Sequence, residues 1–98
     1  MKITTESQHI TSVAKTKIAK VTLDINQAEE RAKELVPQAE QSEEKKKVLK
    51  AILAGLDNAN RVRRGLVTIV KSLQYLEPTA IVEINDNECG LLGHVDLD

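Results

Sequence analysis

A chain of 98 residues holds one domain at most. Tyr75 is its single aromatic, so any core must be built from Ile, Val, Leu and Ala, which suit thin helix-to-helix seams. The lone Cys89 excludes an intrachain disulfide, and no apolar run reaches the roughly 20 residues of a membrane span. The opening Met1–Ile10 lacks the apolar stretch of a Sec signal, so the expected location is the cytoplasm, with export by a route without a cleaved signal left open. Net charge is −1 overall, yet residues 1–76 carry +5 and residues 77–98 carry −6. Such a polar division means that the tail meets its own basic body or that each half meets a different partner.

In chain order, Thr4 or Thr5 with Glu6 predicts the start of a first helix at about residues 5–36. Ala14, Ile18, Val21, Ile25, Ala28, Ala32 and Leu35 recur in alternating steps of four and three. That spacing keeps one apolar stripe turned toward a partner helix, as in coiled coils. Thr22 and Asp24 weaken helix propensity locally, so burial of the stripe must hold that stretch helical. Pro37 predicts a turn over residues 37–42, because the residue before a proline is biased out of the helical region.

Ser42 with Glu43 and Glu44 predicts a second start: a hydroxyl cap, and two acids suited to the helix dipole. The second helix is expected to run over 43–76 and stop at Glu77-Pro78. Its seam is Leu49, Ile52, Leu56, Ala59, Leu66, Val70 and Leu73, interrupted by Arg63. A second line lies beside it: Val48, Ile52, Gly55, Ala59, Val62, Leu66, Ile69, Leu73 and Leu76. A face this broad touches two neighbours. One is the chain's own first helix, and the other is most simply the same helix of a second copy. The expected fold is therefore all-α, a long antiparallel, coiled-coil-like helical hairpin over residues 1–76 that dimerises into a four-helix bundle. The rival is a single kinked helix in a parallel rod, since the heptad phase survives through Ala39, Ser42 and Lys46. Pro37 inside that rod would cost about 3 kcal/mol.

Residues 77–98 read as a short acidic tail. Ile81–Ile84 is a β-type run, Asn85–Gly90 has turn chemistry, and Val95 and Leu97 alternate with polar residues. A small β-hairpin, a disordered tail, and a strand that pairs with a partner's sheet edge are all open.

The chain predicts no enzyme. His9 and His94 lie near opposite ends, and no glycine-rich phosphate loop or nucleophile–base pairing is present. No cofactor and no metal is expected. Glu83, Asn85, Asn87 and Glu88 lack the glycine and terminal bidentate acid of a calcium loop, and Cys89 with His94 gives too few zinc ligands. Arg61, Arg63 and Arg64 are the sharpest basic feature. They are read either as phosphate contacts or as partner-specific ion pairs. Arg63 is then a seam residue whose mate is Glu29, Asp24 or an acid of the tail. Gly55 lies on the second apolar line, where close helix approach is its natural purpose; Gly65 lies off both lines.

The opening polar segment, the two helices and the turn near Pro37–Ser42 resemble the small helical-hairpin proteins of type VII secretion loci, the WXG-type superfamily in the broad sense. Pro37–Ser42 stands where those proteins carry Trp-x-Gly, and Tyr75 is followed four residues later by Thr79 and not by an acid. The resemblance implies an antiparallel hairpin that pairs with itself or with the helical domain of a larger protein. The expected function is thus a non-enzymatic, chaperone-like helical adaptor. Its expected interface is Ile18, Val21, Ile25, Leu49, Ile52, Leu56, Ala59, Leu66, Ile69 and Leu73. The alternative is a small nucleic-acid-binding regulator that uses Arg61, Arg63 and Arg64 and is restrained by the acidic tail, although the near-neutral charge and missing stacking aromatics make nucleic acid the weaker partner. No membrane contact is expected.

Overall fold

The computed structural model describes residues 3–93, apart from the side chains of Ile3, Asp86, Asn87 and Cys89. In order it holds β1 (Ile3–Glu6), α1 (Ser7–Ala39), α2 (Glu43–Leu73), β2 (Ile81–Ile84) and α3 (Asp86–Leu92). The two long helices pack side by side as a hairpin, in a molecule measuring 56 × 23 × 21 Å. Among the described residues no helix is long and apolar enough to cross a membrane.

Helix α1 runs straight through Pro37, where the sequence predicts a turn. The ring removes one backbone donor, so the Lys33 carbonyl loses its helical partner. Lys33 and Pro37 are both exposed, which lets water take that carbonyl. One residue on, the Gln38 side-chain amide donates to the Glu34 carbonyl at 3.2 Å. A proline in the last turn is therefore tolerated, and the link between helices shrinks to residues 40–42. Ser42 then starts α2 as its cap, its Oγ accepting from the Lys45 N–H at 3.4 Å.

The other end of the hairpin differs most from the sequence expectation. Residues 3–6 form no helical cap. They are a strand, paired antiparallel with β2 in the register Ile3↔Ile84, Thr4↔Glu83, Thr5↔Val82 and Glu6↔Ile81. The β-type run in the tail thus finds its mate at the opposite end of the chain. Alternation turns Ile84 and Val82 inward and leaves Ile81 and Glu83 exposed. Asn85–Gly90 also departs from turn chemistry, because most of it is α3. The Asn85 side chain accepts from the Glu88 N–H at 2.9 Å and donates to the Glu88 carboxylate at 3.1 Å, a form of capping box. Gly93 closes α3 at φ 76°, a conformation that favours glycine. The readings of the tail as disordered, or as turn-linked, thus give way to ordered structure over residues 81–92. Val95 and Leu97, the far arm of the expected β-hairpin, lie outside the described residues.

Helix α1 has no side-chain cap on its backbone donors: the Glu6 carboxylate accepts from the Gln8 side-chain amide at 2.6 Å and caps no N–H of the first turn. Its orphan N–H groups are met from the far side of the hairpin. Ser7 N–H donates to the Ala80 carbonyl at 2.8 Å, and Gln8 N–H to that of Pro78 at 3.0 Å. The buried Ser7 hydroxyl donates to the Glu77 carbonyl at 2.7 Å, with the Pro78 carbonyl at 3.3 Å sharing its proton. Around this clasp sits the densest core: Ile10, Ala14, Leu66, Ile69, Ile84 and Leu92, flanked by Val13, Val62, Val82 and Leu91.

Ser7→Ala removes the hydroxyl bond to the Glu77 carbonyl, which keeps the Ala80 N–H as a donor at 2.9 Å. Its unfolding free energy in urea is expected to fall by about 1 kcal/mol with an unchanged m-value.

Candidate interaction face

The clasp divides the hairpin into a finished end and an open one. From the clasp outward, α1 keeps a buried stripe along nearly its whole length: Ile10, Ala14, Val21, Ile25, Ala32 and Leu35. Helix α2 does not. Its buried residues are Leu66 and Ile69 alone, both near the clasp, and none of residues 43–65 is buried. The reason lies in the width of the apolar face. One flank of it covers α1. Among the described residues, the other flank is covered only where β2 and α3 stand.

The expected interface residues divide accordingly. Val21, Ile25, Leu66 and Ile69 are buried within the chain, and Ile18 and Leu73 pack beside the clasp core. Leu49, Ile52, Leu56 and Ala59 are half-buried at the α1–α2 seam. Between the helices at that level lies an open groove of about 540 Å³, walled by Ile25 and Ala28 on α1 and by Ile52, Gly55, Leu56 and Ala59 on α2. Asp24 and Arg31 stand on its α1 rim. Large apolar side chains are also left in solvent: Leu53 and Val36 are each 51% exposed and Val48 is 38% exposed.

The two helical glycines have different environments. A Cβ on Gly65 would lie 2.7 Å from a methyl of Leu91, so glycine there admits α3 against α2. A Cβ on Gly55 would meet nothing within 4 Å. In mid-helix a glycine costs about 1 kcal/mol relative to alanine, and nothing within the described residues uses the space that Gly55 leaves.

The arginine cluster is dispersed. Arg61 reaches Asp57 at 3.6 Å on its own exposed surface, a pair of small energetic weight. Arg63 is half-buried on the seam, and its hydrogen bond goes one turn back to Asn60 Oδ1 at 3.0 Å, not across to Glu29 or Asp24. Arg64 is exposed. Successive helical positions lie about 100° apart, so these three side chains make no single basic patch.

His9 sits in a cleft near the clasp with Ser12, Thr16, Lys17, Lys20 and Leu92. Its Nε2 is buried with no hydrogen-bond partner among the described residues, and neither hydroxyl bonds to it. His94 lies outside those residues. No group of three or more His, Cys, Asp or Glu side chains that could hold a metal occurs among the described residues.

Sequence reasoning missed Ile10, Ile84, Leu91 and Leu92. Ile10 lies one residue off the heptad line, which passes through Thr11, and is buried because β2 and α3 cover that flank. The Asn85-x-x-Glu88 spacing was the available sign of α3.

The chain matches no family model, none of the curated proteins and no solved structure.

Gly65→Val drives a branched side chain into Leu91. It is expected to cost about 1–3 kcal/mol and to speed amide exchange in α3 well before α1 is affected.

Proposed function

We propose that the chain is a non-enzymatic helical adaptor, chaperone-like in the sense that it covers a helical surface of another protein or of a second copy. The observation that carries this reading is the bare distal half of α2. Its apolar line continues through Val48, Ile52, Gly55 and Ala59, while no residue from 43 to 65 is buried. A helix that leaves such a line only partly covered, with Val48 and Gly55 exposed and Ile52 and Ala59 half-buried, presents a docking face. The groove beside Gly55 and the exposed Val48 widen that face, while Val36 and Leu53 line a separate groove on the other side of the seam with Ala39 and Leu49. A helix laid along it would complete a bundle, as in the helix-in-groove mode of recognition. The resemblance to the WXG-type hairpins adds architectural support. The β1–β2 clasp and α3 are additions to the plain hairpin expected from that resemblance.

The face is narrower than the ten residues named from sequence. Leu66 is fully buried, so a charge placed there would test folding and not docking. Exposed positions give the clean test. The double variant Val48→Glu/Ala51→Glu keeps good helix formers on solvent-facing sites. The wild-type chain is expected either to self-associate in sedimentation or to capture a helical protein from its native host lysate after nuclease treatment. The variant should lose both with its circular dichroism unchanged. Capture that vanishes on nuclease treatment and falls steeply with salt would instead support the nucleic-acid reading through Arg61, Arg63 and Arg64.

A further inference from the structure

Resting on the docking reading above, we propose that the occupant of the α2 face is a second copy of this chain, laid antiparallel about a two-fold axis at Gly55.

The first observation is the glycine itself. Gly65 is used within the chain, by Leu91 of α3. Gly55 gives up helix propensity and, among the described residues, is used by nothing within 4 Å. The absence of a side chain is useful only to a backbone arriving from outside.

The second is a palindrome. Reading outward from Gly55, Ala51 and Ala59 lie four residues to either side, and Val48 and Val62 lie seven to either side. At about 100° per residue these five positions fall within one narrow strip of the helix surface. Val48, Ala51 and Gly55 are exposed, and Ala59 and Val62 are half-buried. An antiparallel copy brings Val48 level with the other copy's Val62, Ala51 level with its Ala59, and glycine onto glycine. The strip is therefore complementary to itself, which a two-fold contact requires. Small residues at its centre let the two backbones approach closely.

The third is charge. Lys47 and Gly65 are 18 residues apart, about five full turns, so they share one flank of α2. Helix α3 packs on that flank at Gly65. Lys47 is exposed eight residues before Gly55, and Gly65 follows ten residues after it. An antiparallel copy thus carries Lys47 to the level of the other copy's α3, which holds Glu88 and belongs to the acidic segment 77–98. A parallel copy would set Lys47 of each chain beside Lys45 of the other, one pair on each flank of the strip, while Lys46 points away. On the flank that carries α3, charge complementarity favours the antiparallel arrangement.

The test is a disulfide map with a mass measurement. In a Cys89→Ser background, Gly55→Cys is expected to give a covalent dimer under mild oxidation, because the two-fold axis superposes that position on itself. Lys47→Cys alone should not, since its counterpart lies far along the antiparallel axis. Gly55→Leu should raise helicity yet shift the sedimenting mass from dimer to monomer. A wild-type chain that stays monomeric from micromolar to millimolar concentration overturns the pairing. In that case, capture of another helical protein that Val48→Glu/Ala51→Glu abolishes would leave the docking reading standing. Disulfides from both single cysteines overturn the antiparallel arrangement. A dimer unaffected by Gly55→Leu overturns the crossing point.

Discussion

The first turn of any α-helix leaves backbone donors without intrahelical partners, and here those donors are met by carbonyls seventy residues away in sequence. Ser7 and Gln8 reach Ala80 and Pro78, and the Ser7 hydroxyl reaches Glu77. A cap supplied from across the hairpin is a tertiary contact and a local one at once. It holds residues 77–80 where β2 must begin, and β2 can then run beside β1. With β2 placed, α3 follows within two residues and brings Leu92 to Ile10 and Leu91 to Gly65. The whole of the finished end depends on that set of hydrogen bonds.

The helical hairpin was legible because its signals are local and repeated. Seven apolar positions at heptad spacing mark α1, and Ser42 with two acids marks the start of α2. What was not legible is what depends on the chain meeting itself. Residues 3–6 are too short a run to announce a strand, and their mate lies beyond both helices. Thr4 and Thr5 accordingly read as capping residues, although their β-branched side chains suit a strand equally well. Pro37 misled in the opposite way. Its cost depends on where in a helix it falls and on whether the stranded carbonyl sees water, and a sequence window gives neither. Gly65 could be understood only once Leu91 stood over it.

The face proposed for docking was legible in outline. A doubled apolar line on α2 implied two neighbours, and the hairpin supplies one of them. The structure adds where the second is missing. Near the clasp, β2 and α3 occupy that place, so Leu66 and Ile69 are buried by the chain's own residues. Farther out, among the described residues, α2 has only α1 beside it. Arg63 shows the same division: a seam position in the sequence, it is served by Asn60 of its own helix and needs no acid from α1.

A heptad seam is degenerate. If two helices slide past one another by seven residues, about 10 Å, apolar again meets apolar and little distinguishes the shifted pairing. Here Ile, Ala, Val and Leu alternate with few features of unique shape, so the seam by itself specifies the alignment of α1 and α2 weakly. The clasp does not repeat. A slide of one heptad would carry Ser7 away from Glu77 and leave β1 opposite no strand at all. With the three-residue link at 40–42 pinning the other end, the short sheet, which buries little, acts as the vernier of the hairpin: together they select one alignment among several that the seam alone would accept, and in doing so fix which residues of α2 are left uncovered.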